Sequence, residues 1–204
     1  MKTNNIADKF EMVAKTHYGL EKILARELIE IGAADVEVLN RAVRFKGDLA
    51  MLYRSNYCLR TALRILKPVL KTRILNDKEL YEAIREIKWS KLLKKEGTLV
   101  VDTMVKSKYF NHSQYVAQKV KDAIVDQFRE TYGIRPSVNK ENPDLQINVH
   151  ITERDLTVSL DSSGESLHKR GYRVDNGEAP LSEVLASGMI RLSGWHANKP
   201  FYDL

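Results

Sequence analysis

Cysteine is almost missing from this sequence, and the single one, Cys58, has no partner for an intramolecular disulfide. A disulfide-stapled secreted scaffold is therefore excluded. Ten glycines and five prolines in 204 residues are too few for a collagen-like or low-complexity chain. No apolar run approaches the roughly 20 residues that a membrane-spanning helix needs. The opening MKTNNIADKF lacks the apolar stretch of a signal peptide, so the cytoplasm is the expected compartment and no membrane is expected as a partner. Five histidines, His17, His112, His150, His168 and His196, show no ligand spacing with Cys58, which argues against a zinc site. No serine sits in a nucleophile elbow, and Gly164 and Gly171 do not make a phosphate loop.

What is present is ordinary in amount and uneven in place. With 43% apolar and 29% charged residues the chain can hold one large or two small cores. Basic residues number 33 against 27 acidic, a net charge of +6. Residues 1–76 hold 14 basic and 8 acidic side chains, residues 77–160 hold 14 and 13, and residues 161–204 hold 5 and 6. The surplus lies in the first third and favours a polyanionic partner, although charge alone also serves solubility.

The first third reads β-α-β-β-α-β. Phe10 to Lys15 is extended, and Leu20, Ile23, Leu24, Leu28 and Ile31 form a helical stripe that stops at Gly32. Short strands flank an Asn40-Arg41 turn, Asp48 is placed to cap a helix carrying Leu49, Leu52 and Tyr53, and an extended run follows from Ala62 to Leu70. This is the split βαβ pattern. Pro68 cannot donate to a ladder, so the last strand is expected at an edge or with a bulge.

A second α/β unit opens at Asp77, read as an N-cap, with Leu80, Ala83, Ile84 and Ile87 on one helical face and a short helix near Trp89. Thr98 to Val105, apolar on both faces apart from Asp102, reads as a central strand. A loop from Lys106 to Ser113 then opens a long helix with Val116, Val120, Ile124 and Phe128 inward and Gly133 as its stop. Two strands, Leu145–Ile151 and Leu156–Asp161, flank a Glu153-Arg154-Asp155 turn. A link is expected at Val174–Pro180. Beyond it Leu181, Val184, Leu185, Gly188, Leu192 and Trp195 form an apolar stripe with no evident partner, read as the first helix of a further domain.

The segment His112 to Asp126 closely resembles the third helix of the THUMP domain in the large-subunit ribosomal RNA guanine-N2 methyltransferases. Tyr18-Gly19-Leu20-Glu21, Asn56 to Ile65, and Leu160 to Arg173 agree with the same family, in the same order. The resemblance implies an α+β chain: a ferredoxin-like βαββαβ domain (1–76), a THUMP domain of the RNA-binding type (77–173), and a linker with the first elements of a truncated, Rossmann-like methyltransferase domain (174–204). It implies S-adenosylmethionine as the cofactor of the parent protein, none bound by this chain, with catalytic residues beyond Leu204. Partners are ribosomal RNA and the missing domain in cis.

Candidate RNA contacts follow from local chemistry. Lys106 and Lys108 precede a helix start at His112, Ser113 and Gln114, where free amides and the dipole favour phosphate. Lys119 and Lys121 flank Val120 and leave the stripe on opposite sides, so at most one shares a surface with the loop. Tyr109 and Phe110 have rings suited to stacking on an unpaired base, with core packing as the alternative. Lys169, Arg170 and Arg173 surround Tyr172 and form a secondary candidate, with inter-domain docking as the other reading. Asn142-Pro143-Asp144-Leu145 reads as a turn rather than a catalytic loop. Two other functions stay open: a docking or scaffold module, and the targeting part of a DNA methylase.

Overall fold

The computed structural model describes residues 8–171 and 181–202. These fall into two compact units, one drawn from both ends of the chain, up to Leu66 and from Glu165 onward, and one comprising Lys67–Gly164. The contacts thus divide at different places from the boundaries expected after residues 76 and 173. Tyr172, Arg173, the expected link Val174–Pro180 and the final Asp203-Leu204 lie outside the described residues.

The first unit has strands β1 (Phe10–Lys15), β2 (Ala34–Leu39), β3 (Ala42–Gly47) and β4 (Arg64–Arg73), with helices α1 (Glu21–Glu30) and α2 (Leu49–Cys58). Their order is β2-β3-β1-β4, and β1 runs antiparallel to both β3 and the Arg64–Leu66 portion of β4. Pro68 follows the last residue that pairs with β1, so no β1 ladder bond is lost to it. Alternation puts Met12 and Ala14 on one face with Val43, Phe45 and Ile65, where Leu24 and Leu28 of α1 and Met51 and Leu52 of α2 cover them. Asp48 caps α2 by accepting the Met51 N–H at 2.8 Å, as its sequence position suggests. Gly32 stands at φ +88°, the left-handed stop after α1.

Glu27 of α1 is buried. Its carboxylate accepts the backbone N–H groups of Arg60 at 3.1 Å and Thr61 at 3.0 Å and the Thr61 hydroxyl, and pairs with Arg191 at 3.2 Å. Arg191 belongs to helix α5 (Glu183–Leu192). Val184 of α5 is buried against Leu20 and Ile23 of the α1 region, and a Cβ on Gly188 would lie 2.6 Å from Leu20 Cδ2, so a larger residue there would have to push the Leu20 side chain aside. The partnerless stripe is therefore half right. Val184 and Gly188 have a partner in α1, and the segment is anchored there rather than left without a seat, because Arg191 and Gly188 fit Glu27 and Leu20. Leu181, Leu185, Met189 and Leu192 remain exposed, and Trp195 is half-buried beside Phe201, ring centroids 5.5 Å apart.

The second unit contains α3 (Asp77–Glu86), a 3-10 turn (Trp89–Lys91), β5 (Thr98–Lys106), α4 (Ser113–Tyr132), β6 (Ser137–Val138), β7 (Leu145–Thr152) and β8 (Asp155–Asp161). From the later part of β4 the strand order is β4-β8-β7-β5-β6. Strands β5 and β7 are parallel, with α4 as the crossover, and β7 and β8 form an antiparallel hairpin turning at Glu153, φ +52°. Both helices lie on one face, over Leu99, Ile147, Val149, Ile151, Leu156 and Val158. The Trp89 indole donates to the Ile84 carbonyl at 2.8 Å, and Gln127 of α4 accepts the Trp89 N–H and donates to the Arg85 and Ile87 carbonyls, each at 3.0 Å.

Two local expectations need correction here. The cap of α3 is Asn76, whose side chain accepts the N–H groups of Lys78 and Glu79 at 3.0 Å, with Asp77 already in the first turn. Strand β5 is covered on one face only. Leu99, Val101, Thr103 and Val105 turn toward the helices, whereas Asp102, Met104 and Lys106 are exposed, because no helix among the described residues packs on that side. Its outer neighbour β6 pairs only at Thr98 and Leu99, so β5 is an open edge from Val100 onward.

Candidate nucleic-acid interface

At the end of β5 the parallel crossover leaves the sheet. The chain is fixed there by hydrogen bonds to the β7-β8 turn: Glu153 N–H to the Lys106 carbonyl at 2.8 Å, and the Ser107 hydroxyl to the Glu153 carbonyl at 2.6 Å. Ser107 Oγ also accepts the Tyr109 N–H at 3.0 Å. Lys106 and Lys108 are thus held on a braced loop, both exposed. Phe110 is only 4% exposed and belongs to the core, so its ring is not a stacking platform. Its burial closes the apolar end of α4. Tyr109 is 48% exposed, and Arg154 both donates to its hydroxyl at 2.6 Å and lies over its ring, 4.6 Å from the centroid.

Helix α4 begins without a side-chain cap. His112 is the N-cap residue in extended conformation, and no side chain accepts a first-turn amide of Ser113, Gln114 or Tyr115. These amides carry the positive end of a 20-residue helix. Tyr115 turns aside to hydrogen-bond Asp77, which pushes its hydroxyl pKa up with a smaller contribution from burial.

Between α4 and the open edge of β5 runs a groove of ≈ 460 Å³, lined by Asp102, Thr103, Ser113, Gln114, Ala117, Gln118, Lys121, Val138 and Lys140 among others. A second hollow of ≈ 510 Å³ continues around Asn111, His112 and Tyr115, and a third of ≈ 370 Å³ continues past Lys121 to Arg135 and Ser137. Ser113, Gln114 and Gln118 are shared by the first two, and Lys121 and Val138 by the first and third. Lys121 lines the groove and carries an ion pair with Asp122 at 3.0 Å, while Lys119 is absent from all three walls. Arg135 and Lys140, which sequence reasoning passed over, form the far lip. Gly133 stops the helix at φ +69°, and the short return to β6 brings the next cations to the edge of β5. That stop was legible in the sequence, so a parallel crossover over it was the available signal.

The remaining expected cations lie in the first unit. Lys169 is exposed, but the Arg170 guanidinium donates to four backbone carbonyls: Leu167 at 2.9 Å, Tyr57 at 2.8 Å, Asn56 at 3.0 Å and Leu59 at 2.6 Å. Three of these are orphan or flanking carbonyls at the C-terminal end of α2, where a cation complements the helix dipole. Arg170 is a helix cap rather than a free cation, and Arg173 lies outside the described residues. The Asn142-Pro143 stretch is a turn: Asn139 Oδ1 accepts the N–H groups of Glu141 and Asn142 at 3.0 and 3.1 Å. Among the described residues no group of His, Cys, Asp and Glu side chains is placed to hold a metal, and no helix is long and apolar enough to cross a membrane.

Three successive stretches of the chain match known protein families. Residues 11–66 match the model of the RlmL ferredoxin-like domain, residues 76–161 that of the THUMP domain, and residues 170–203 that of the RMKL-like methyltransferase domain. A Synechocystis protein provisionally described as an RNA methyltransferase is 44% identical over 185 residues, which is 91% of this chain and 48% of that protein. The ribosomal RNA large subunit methyltransferase K/L of Cellvibrio japonicus is 41% identical over 177 residues, 87% of this chain and 24% of the enzyme. A Listeria monocytogenes crystal structure, provisionally described as an N6-adenine-specific DNA methylase, superposes with a TM-score of 0.82 at 32% identity, covering 96% of this chain and 51% of that one. The chain thus spans about half or less of the length of these relatives.

Proposed function

From a chain that belongs to the THUMP-containing methyltransferase family, carrying its ferredoxin-like and THUMP domains and a methyltransferase-like segment, we propose an RNA-binding module that positions ribosomal RNA for methylation. The observation that carries this reading is the convergence at α4. An uncapped helix start follows the braced, exposed cations Lys106 and Lys108 within a few residues of chain, and Lys121 and Lys140 line the groove between α4 and the open edge of β5, with Arg135 on the adjoining hollow. Phosphates are favoured at the helix start and along the cationic lips. The groove side chains Gln114 and Gln118 and the free backbone groups of β5 offer donors and acceptors to unpaired bases. Tyr109 offers one ring face, since Arg154 covers the other.

S-adenosylmethionine belongs to the proposed parent enzyme, in which the target base would be taken out of its stack before methyl transfer. The methyltransferase-like segment described here uses Val184, Gly188 and Arg191 against α1. No residue of this chain is therefore assigned to the cofactor, and no chemical step is derived from it. The guanine-N2 target is proposed on resemblance alone.

The test is RNA affinity against salt. With about four phosphate contacts, log affinity should fall with log salt at a slope of about −3 on single strands. Lys106→Glu with Lys108→Glu should weaken binding at least tenfold and flatten that slope while circular dichroism stays unchanged. A salt-insensitive curve, untouched by the double substitution, would favour a protein-docking module instead.

A further inference from the structure

Strand β5 leaves part of its backbone unpaired, and two hydrogen bonds tell which part. The Lys106 carbonyl accepts the Glu153 N–H at 2.8 Å on the β7 side, and the Leu99 carbonyl accepts the Asn139 N–H at 3.2 Å on the β6 side. Successive residues of a strand direct their N–H and C=O groups to alternate edges, and the β5-β7 register runs unbroken from Leu99 to Lys106. Val101, Thr103 and Val105 therefore turn their backbone groups outward, with no strand among the described residues to receive them. Helix α4 leaves this edge uncovered, since the groove of ≈ 460 Å³ lies between them.

The residues alternating with those three are Asp102, Met104 and Lys106, all exposed, Met104 at 55%. Gln146 donates to Asp102 Oδ2 at 2.7 Å, and Lys106 forms no ion pair among the described residues. Charges on an edge strand commonly keep other strands away, which a run of one sign does by repulsion. Here the signs are opposite and Met104 lies midway between them, so the strand is complementary to its own reverse. When a second β5 pairs antiparallel with Met104 opposite Met104, Asp102 of each copy faces Lys106 of the other, and Thr103 and Val105 exchange their backbone bonds. Opposite charges so placed stabilise a strand pair, and like charges destabilise it. The adjacent registers lose this match. Thr103 opposite Thr103 sets Asp102 against Met104 and carries the incoming strand to Leu99, where β6 already pairs. Asp102 opposite Asp102 brings like charges together.

We propose that two copies of this chain associate through their β5 edges, in a two-fold antiparallel pairing centred on Met104. Such an interface is isologous, each copy supplying the same patch. It is small, so the dimer depends on protein concentration. It also closes the mouth of the groove. That consequence alone rests on the RNA-binding reading, and the measurements that test the dimer contain no RNA and are independent of it.

The experiment is sedimentation velocity on the whole chain over a range of concentrations, alongside Asp102→Lys, Lys106→Asp and the two combined. The unmodified chain should shift toward dimer as concentration rises. Each single reversal should weaken association about tenfold, and the combined exchange, which restores opposite charges across the axis, should recover it. Met104→Cys, in a Cys58→Ser background that removes the exposed native thiol, should cross-link to its counterpart under mild oxidation. At a pair without backbone bonds the Cα atoms stand about 4.5 Å apart, within disulfide reach. Thr103→Cys in the same background should not cross-link. A monomer at every concentration overturns the proposal. So does a dimer indifferent to the charge reversals, or one that cross-links through Thr103→Cys in place of Met104→Cys. Where circular dichroism shows a charge variant misfolded, the cross-linking pair, which leaves the charges in place, decides.

Discussion

In the first unit several basic side chains are engaged with the protein itself: Arg170 with four carbonyls, Arg54 with the Ile31 carbonyl, Arg44 with Glu37, and Arg191 with Glu27 and Glu30. In the second unit Lys106, Lys108, Arg135 and Lys140 form no ion pair among the described residues, although that unit, with 17 basic and 14 acidic residues, carries the same net charge as the first, with 16 and 13. Net charge of a segment is therefore a poor guide to where a polyanion binds. What counts is which cations the fold leaves without a partner. The difference has a structural source. The first unit joins segments from both ends of the chain through polar clasps, whereas the second holds α3 and α4 over a continuous apolar core.

Three substitutions probe that contrast. The largest effect is expected at Glu27→Ala, which strands the buried N–H and hydroxyl of Thr61, the part-buried N–H of Arg60 and the Arg191 guanidinium. Removing one member of a buried, hydrogen-bonded pair costs about 3–5 kcal/mol, and partial exposure of Arg191 argues for the lower end. Urea denaturation should show it, and amide hydrogen exchange should localise the loosening to α1, the Arg60-Thr61 loop and α5. Equal loosening throughout α4 would break the contrast between a clasped unit and a core-held one.

Arg170→Met comes next, at about 1–2 kcal/mol for the lost carbonyl bonds at the end of α2. Its RNA affinity should match the unmodified protein while that of the Lys106/Lys108 variant falls. A loss of affinity at unchanged stability would return Arg170 to the RNA surface.

The smallest effect is pH-restricted. The Thr98 N–H and hydroxyl hold the Asp144 carboxyl below its ordinary value of 3.8. A depressed folded pKa gives stability that is present above 3.8 and is lost as pH falls through the folded value. Asp144→Asn should therefore flatten the acid limb of the stability curve below about pH 4 and leave the RNA affinity at neutral pH intact. An acid limb as steep as that of the unmodified chain would remove Asp144 from the second unit's tethers.

Much of this was legible in the residues. The order of elements, the Asp48 cap, the Gly32 and Gly133 stops and the inward residues of α4 follow from patterns within a turn or two of chain. The misreadings each depended on something a local window does not contain. Strand β5 looks buried on both faces because its residues are apolar, but the number of layers over a strand is set by elements elsewhere. Phe110 and Tyr109 are adjacent and chemically alike. Only the position of the core decides that one is buried and the other lies under Arg154.

The sequence by itself determined the two α/β units and the loop that delivers Lys106 and Lys108 to a helix start, since periodicity, caps and turns are short-range properties of the chain. The tertiary structure alone decided which charges are available. Arg170 meets Tyr57 from 113 residues away, and Glu27 receives Thr61 from 34 residues away and Arg191 from the other end of the chain. No local pattern encodes such pairings, because a guanidinium or carboxylate is the same residue whether it faces solvent or closes a distant helix end.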